Sequence, residues 1–201
     1  MNKQGEIVSQ LTDRELLFNL YLTQALLFVI AMIGSYFVFS SLADLLLLFQ
    51  ANMSDIFLIG GSVALIVIII DFILYKYVPK HLIDDGGVNQ RVFSRRSVWH
   101  IILLCVVIAF VEELLFRGVI QTAIGLVYAS FIFAVIHVRY LKSIVLFTVV
   151  VLVSFILGWL FFITNNLLVP MFAHFIIDCV LGIAIMVKYR KKHDTCDSIK
   201  R

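Results

Sequence analysis

Charge is scarce in this sequence. Asp, Glu, Lys and Arg make up 14% of 201 residues, against about 25% in soluble domains. With 62% hydrophobic residues and a mean hydropathy of +1.06, that scarcity excludes an ordinary soluble domain. Cysteine is also sparse: Cys105 and Cys179 sit in apolar runs and Cys196 in the polar tail, so no disulfide framework can be read. Cys196 is followed by five residues rather than three, which excludes a C-a-a-X lipidation signal. Basic residues form no patch interleaved with aromatics, so nucleic acid is excluded as a partner. Internal repeats, low-complexity stretches and the period-2 alternation of a barrel strand are absent as well.

What the chain has instead is long apolar runs, at about 16–39, 57–78, 98–118, 121–138, 142–163 and 167–187. Measured against the ~20 residues needed to cross a bilayer, they predict an all-α, polytopic transmembrane bundle of about six spans. Helices follow because every backbone polar group must be satisfied within lipid. The first run is about 24 residues long, beyond the ~7–15 of a signal-peptide core, so it reads as a retained span. The expected organisation is two spans and a loop over 1–97, a core over 98–187 and a basic tail over 188–201.

Lysine and arginine are missing from the alternate loops 40–56 and 164–166. They gather before the first span (Lys3, Arg14), between the second and third (Lys76, Lys80, Arg91, Arg95, Arg96), after the fourth (Arg139, Lys142) and in the tail. The positive-inside rule then places both termini in the cytoplasm, in a protein of the cell membrane. The loop DDGGVNQRVFSRR at 84–96 is expected on the cytoplasmic surface.

One basic residue, Arg117, breaks this pattern. It lies in VEELLFRG at 111–118, inside an otherwise apolar span, together with Glu112 and Glu113. Each such charge costs roughly 2.5–3.5 kcal/mol near the bilayer centre, or about 8–10 kcal/mol for three. That cost argues for function. Glu113 and Arg117 are four residues apart and can meet on one helix face. Glu112 points about 100° away, and its neighbours at three and four positions are Ile108, Ala109, Leu115 and Phe116. It therefore needs a partner from another span or must be protonated. His174 and Asp178 share one face of the last span, and His137 closes the fourth. Asp71 reads as an interfacial or helix-pairing residue, and His100, beside Trp99 near a helix start, as an interface anchor.

Two glutamates, two histidines and an aspartate inside neighbouring spans suit a water-handling site. A carboxylate and an imidazole can polarise water, and a second imidazole can stabilise a developing oxyanion. The same inventory suits a divalent metal such as Zn²⁺, or an ion or proton pathway.

Three motifs occur in order: EExxxR (Glu112-Glu113-Leu-Leu-Phe-Arg117, followed by Gly118), FxxxH (Phe133 to His137) and HxxxN/D (His174 to Asp178), the last preceded by Asn166-Leu-Leu-Val-Pro170. Over roughly 98–187 the chain resembles the CPBP (CAAX protease and bacteriocin-processing, or Abi) family of intramembrane endopeptidases. The resemblance implies hydrolysis of a membrane-associated peptide or protein tail, in the manner of CAAX prenyl protease 2. It implies that Glu112 and His137 activate the attacking water, that His174 and residue 178 stabilise the oxyanion, and that Glu113 and Arg117 support the site. It favours a metal-independent glutamate protease over a metalloprotease, since the HExxH spacing is absent. Bacterial relatives are linked to bacteriocin self-immunity and peptide-signal processing. The alternatives are a non-catalytic immunity or binding protein and an ion or proton carrier.

The chain departs from the eukaryotic family pattern at Asp178, where those enzymes carry Asn. An ionised Asp only accepts hydrogen bonds. It must be protonated, or, as we favour, hold His174 in its donating tautomer. Geometry also demands irregular backbone. Glu112 lies about 21 Å from the start of its span at 1.5 Å per residue, whereas His137 lies at the end of the next. They meet only if the 98–125 region is bent, broken or re-entrant, and Gly118 and Gly125 are the residues that permit it.

Overall fold

The computed structural model describes residues 10–137, 140 and 143–199, with side chains as far as Lys191. Lys3, Arg139, Lys142, Lys200 and Arg201, and the side chains of Lys192 and Cys196, lie outside the described residues. Among the described residues the protein is an all-helical membrane bundle. Helix α1 spans Asp13–Val38, the short α2 Leu42–Leu46, α3 Asp55–Tyr77 and α4 Val88–Phe93. They are followed by α5 (Val98–Ile124), α6 (Leu126–Ile136), α7 (Ile144–Thr164) and α8 (Leu168–Ile199).

Five helices, α1, α3, α5, α7 and α8, are long and apolar enough to cross a membrane. The run expected to make a sixth span over 121–138 does not form one. Its first part completes α5, Gly125 breaks the chain, and the remainder is the 11-residue α6. At 1.5 Å per residue α6 is about 16 Å long, half of the ~30 Å hydrocarbon thickness. Gly125 adopts φ 87°, ψ 165°, a region that is essentially restricted to glycine. Periodicity and hydropathy cannot register a single such residue.

The outer surface is what lipid requires. Phe18, Tyr36, Phe37, Leu58, Trp99 and Phe162 are each more than half exposed on the isolated chain. Inside, α5 is the most enclosed span, half of its most apolar window being buried. α8 packs along it: Gly182 admits Phe93 and Ile101, where a Cβ would stand 2.9 Å from the Phe93 ring.

Polar contacts tie the two ends of the bundle. At one end Thr12 caps α1, its Oγ1 accepting from Glu15 N at 3.2 Å while Glu15 Oε2 accepts from Thr12 N at 2.7 Å, a capping box that satisfies two orphan donors. Arg91 Nε donates to Asp13 Oδ1 at 2.9 Å, Arg96 reaches the Asp13 carbonyl, and Arg190 reaches the Arg96 carbonyl. The basic loop, the start of α1 and the 189–190 region of α8 therefore share one end. At the other end Leu167 N donates to Leu48 O at 2.7 Å, and Asn166 Nδ2 donates to Gln50 O at 2.7 Å. His100, expected as an interface anchor, joins α5 to α1: its Nε2 lies 3.0 Å from Tyr21 Oη.

Candidate active site

The EExxxR motif falls where α5 changes its winding. Val98–Glu113 is α-helical, and Leu114–Gln121 is π-helical. π-Turns widen the helix by one residue and concentrate at functional sites. The irregular backbone expected around 98–125 thus takes two forms, this π segment and the Gly125 break. After the break α6 runs back beside the π segment. Phe133 on α6 packs edge-on against Phe116 of α5, ring centroids 4.8 Å apart, and lies 5.4 Å from the Arg117 guanidinium. The returning helix is what carries FxxxH to EExxxR.

Arg117 is fully buried, and three helices supply its partners. Nε donates to Glu113 Oε2 at 3.1 Å, Nη2 to Ser154 Oγ of α7 at 3.0 Å and Nη1 to Ser130 Oγ of α6 at 3.5 Å. The two serines also exchange hydrogen bonds with each other's carbonyls at 3.2 and 3.4 Å. Gly158 makes room beside them, since a Cβ there would stand 3.2 Å from Arg117 Nη1 and 2.9 Å from Gln121 Oε1. A buried charge must be paired and hydrogen-bonded; this cluster supplies the counter-charge and an acceptor for each of the three guanidinium nitrogens. Its position between α5, α6 and α7 makes Arg117 a cross-brace.

Glu113, also fully buried, spends its second oxygen on His174: Oε1 lies 2.9 Å from Nδ1. The other ring nitrogen, Nε2, lies 3.4 Å from Asp178 Oδ2. His174 is therefore suspended between a buried carboxylate and a partly exposed one, with Asp178 at 30% side-chain exposure. Asp178 and Asp71 of α3 are close enough to interact electrostatically.

Glu112 faces elsewhere. It is 8% exposed, and its Oε1 accepts from Gln24 Nε2 of α1 at 2.9 Å. Its Oε2 has no hydrogen-bond partner among the described residues. Its partner from another span is therefore Gln24, an amide of the first helix, where the family reading pairs Glu112 with a histidine, His137. Sequence reasoning that surveyed only ionisable residues within the spans passed over Gln24, although a lone glutamine in a 24-residue apolar run was a usable signal. Ser130 and Ser154 were missed for a better reason: hydroxyls in membrane helices commonly bond their own backbone.

His137 ends α6. Its Nδ1 lies 2.8 Å from the Phe133 carbonyl. A carbonyl can only accept, so Nδ1 carries the proton and a neutral ring keeps Nε2 as its acceptor. The imidazole lies against Phe133 at 4.4 Å between centroids and stacks with Tyr140 at 6.0 Å. Phe133 also meets His174 edge-on at 6.4 Å. One aromatic ring therefore separates and orients the two histidines. Glu113, Arg117, His174 and Asp178 form one connected polar chain, Glu112 pairs with Gln24 beside it, and His137 joins through Phe133.

Among the described residues no three His, Cys, Asp or Glu side chains converge as a metal would require. Both oxygens of Glu113 and one nitrogen of His137 are already engaged.

Residues 94–180 match the family described as type II CAAX prenyl endopeptidase Rce1-like. The chain is 47% identical over 175 residues to the uncharacterized protein YpbD of Bacillus subtilis (strain 168), an alignment that covers 86% of this chain and 93% of that protein. No solved structure matches it. With its three motifs carried on a helical membrane bundle, the chain belongs to the Rce1-like, CPBP family of membrane endopeptidases.

Proposed function

We propose that this protein is a metal-independent intramembrane glutamic endopeptidase that cleaves membrane-associated peptides or protein tails. The observation that carries the reading is Glu112: a carboxylate buried in a membrane helix with one oxygen held and the other uncommitted. Glu113, by contrast, has both oxygens engaged, by Arg117 and His174. A base needs one lone pair free.

In this reading Glu112 Oε2 takes a proton from water as the water oxygen attacks the scissile carbonyl. His137 assists through Nε2, the nitrogen left as acceptor by the Phe133 bond, by sharing the proton that Glu112 has taken. Negative charge develops on the carbonyl oxygen, and His174, protonated on both nitrogens between the Glu113 and Asp178 carboxylates, stabilises it with Nε2–H, whose contact with Asp178 is long. Asp178 acts one step back, keeping the proton on Nε2 before substrate arrives. Glu113 and Arg117 hold His174 in register. Collapse of the tetrahedral intermediate returns the proton from Glu112 to the leaving amine, so acid and base duties fall on one residue. No step requires a metal. Both termini are assigned to the cytoplasm, with the site reached through a wet cavity from that face of the cell membrane.

The test is cleavage of a panel of membrane-anchored peptides by the purified chain in detergent, comparing wild type with Glu112→Ala, each with and without a strong chelator. Loss in the variant alone is the expected result. Sensitivity to chelation would revive a metal site. Equal cleavage by both proteins would make Glu112 a helix-pairing residue and bring a non-catalytic binding role forward.

A further inference from the structure

Gln24 lies outside the segment that matches the family, which begins at residue 94, yet it touches the central carboxylate of the site. The amide is 6% exposed. Its Nε2 donates to Glu112 Oε1, and two acceptors of this one hydrogen-bonded pair are left over: Glu112 Oε2 and Gln24 Oε1, both buried and both without a partner among the described residues. A buried acceptor without a donor costs about 1–3 kcal/mol. A donor of two protons could serve both, and water has two.

We propose that Gln24 is a positioning residue for the nucleophilic water, a role that rests on the catalytic reading of Glu112 given above. Its Nε2–H fixes the Glu112 carboxylate so that Oε2 faces the water, and its Oε1 accepts the second water proton. With both O–H bonds directed at protein acceptors, the oxygen lone pairs point outward, toward the carbonyl carbon. On attack the O–C bond forms, the carbonyl π pair moves to its oxygen, and one water proton passes to Glu112 Oε2. The other proton stays on the new hydroxyl, still bonded to Gln24 Oε1, through collapse to the carboxylic acid and the amine. A glutamine that served only to join α1 to α5 would contribute to assembly and leave turnover of the folded protein unchanged.

The experiment measures kcat and KM for a membrane-anchored peptide with the full chain in proteoliposomes, together with thermal unfolding by intrinsic fluorescence. The proteins are wild type, Glu112→Gln, Gln24→Met and Gln24→Glu. Misplacing a reacting group by about 1 Å can cost roughly 10²-fold. Gln24→Met is accordingly expected to lose about 10²-fold in kcat with KM within about twofold of wild type. Gln24→Glu keeps the size and the acceptor, and covers the case in which Gln24→Met fails to fold. It donates to Glu112 only while one proton is shared by the two carboxyls, so its kcat should fall with rising pH more steeply than that of wild type. A folded Gln24→Met with wild-type kcat, or a Gln24→Glu pH profile parallel to wild type, overturns the proposal while Glu112→Gln remains inactive. An active Glu112→Gln would instead remove the catalytic reading itself.

Discussion

His174 Nδ1 lies 2.9 Å from Glu113 Oε1, a bond between residues 61 positions apart that joins α8 to the most enclosed helix of the bundle. It fixes the plane of the imidazole and leaves Nε2 facing Asp178. The second oxygen of Glu113 is held by Arg117, so one carboxylate both orients a histidine and neutralises a buried guanidinium. Removing it should be felt in the fold and in the chemistry.

Glu113→Gln is therefore expected to destabilise the protein by about 3–5 kcal/mol, because Arg117 would remain buried without its counter-charge. Thermal unfolding in detergent reads that loss. Cleavage by whatever fraction folds should fall as well, since His174 loses its charged anchor.

Asp178→Asn separates two roles at one position. If Asp178 orients His174 as an acceptor, the amide should lower cleavage about tenfold or more while unfolding stays close to wild type, the side chain being partly exposed. Full activity in this variant would show instead that residue 178 donates a hydrogen bond directly, as a protonated acid or an amide can.

Gly125→Ala tests the break that brings α6 back. Nothing lies within 4 Å of a Cβ at this position, so the effect is one of backbone alone. A non-glycine residue forced to hold φ 87° should cost roughly 1–3 kcal/mol. Relief of that strain would draw Phe133 and His137 away from Arg117. We expect a lower unfolding temperature and a loss of cleavage larger than the stability change explains.

Orientation is tested with single cysteines introduced into a cysteine-free chain and labelled in intact cells by an impermeant thiol reagent. Positions in the 40–54 loop should label from outside. Positions in the 84–96 loop should label only after permeabilisation, because that loop shares its end of the bundle with the start of α1 and with Arg190.

Much of this was legible in the chain itself. Long apolar runs dictate helices, because lipid offers no partner for a bare peptide group. Three charges at 112, 113 and 117 announce a site, because their burial is too costly to be neutral. The i,i+4 spacing of Glu113 with Arg117 and of His174 with Asp178 forecasts both contacts. These are local relationships, and the sequence determines them by periodicity and composition.

Three matters were decided only in three dimensions. The run 121–138 became a half-length helix, because one glycine at a positive φ angle ends α5. Glu113, the partner of Arg117, also holds His174, since its two oxygens face different helices. Glu112 found its partner in Gln24, 88 residues away on a helix with no motif of its own. Hydropathy sets that helices cross the membrane and which residues are too polar to be there by accident, while the Gly125 break decides how many of the apolar runs span it. Which polar groups meet depends on helix rotation and on backbone breaks, and those are settled by packing the bundle as a whole.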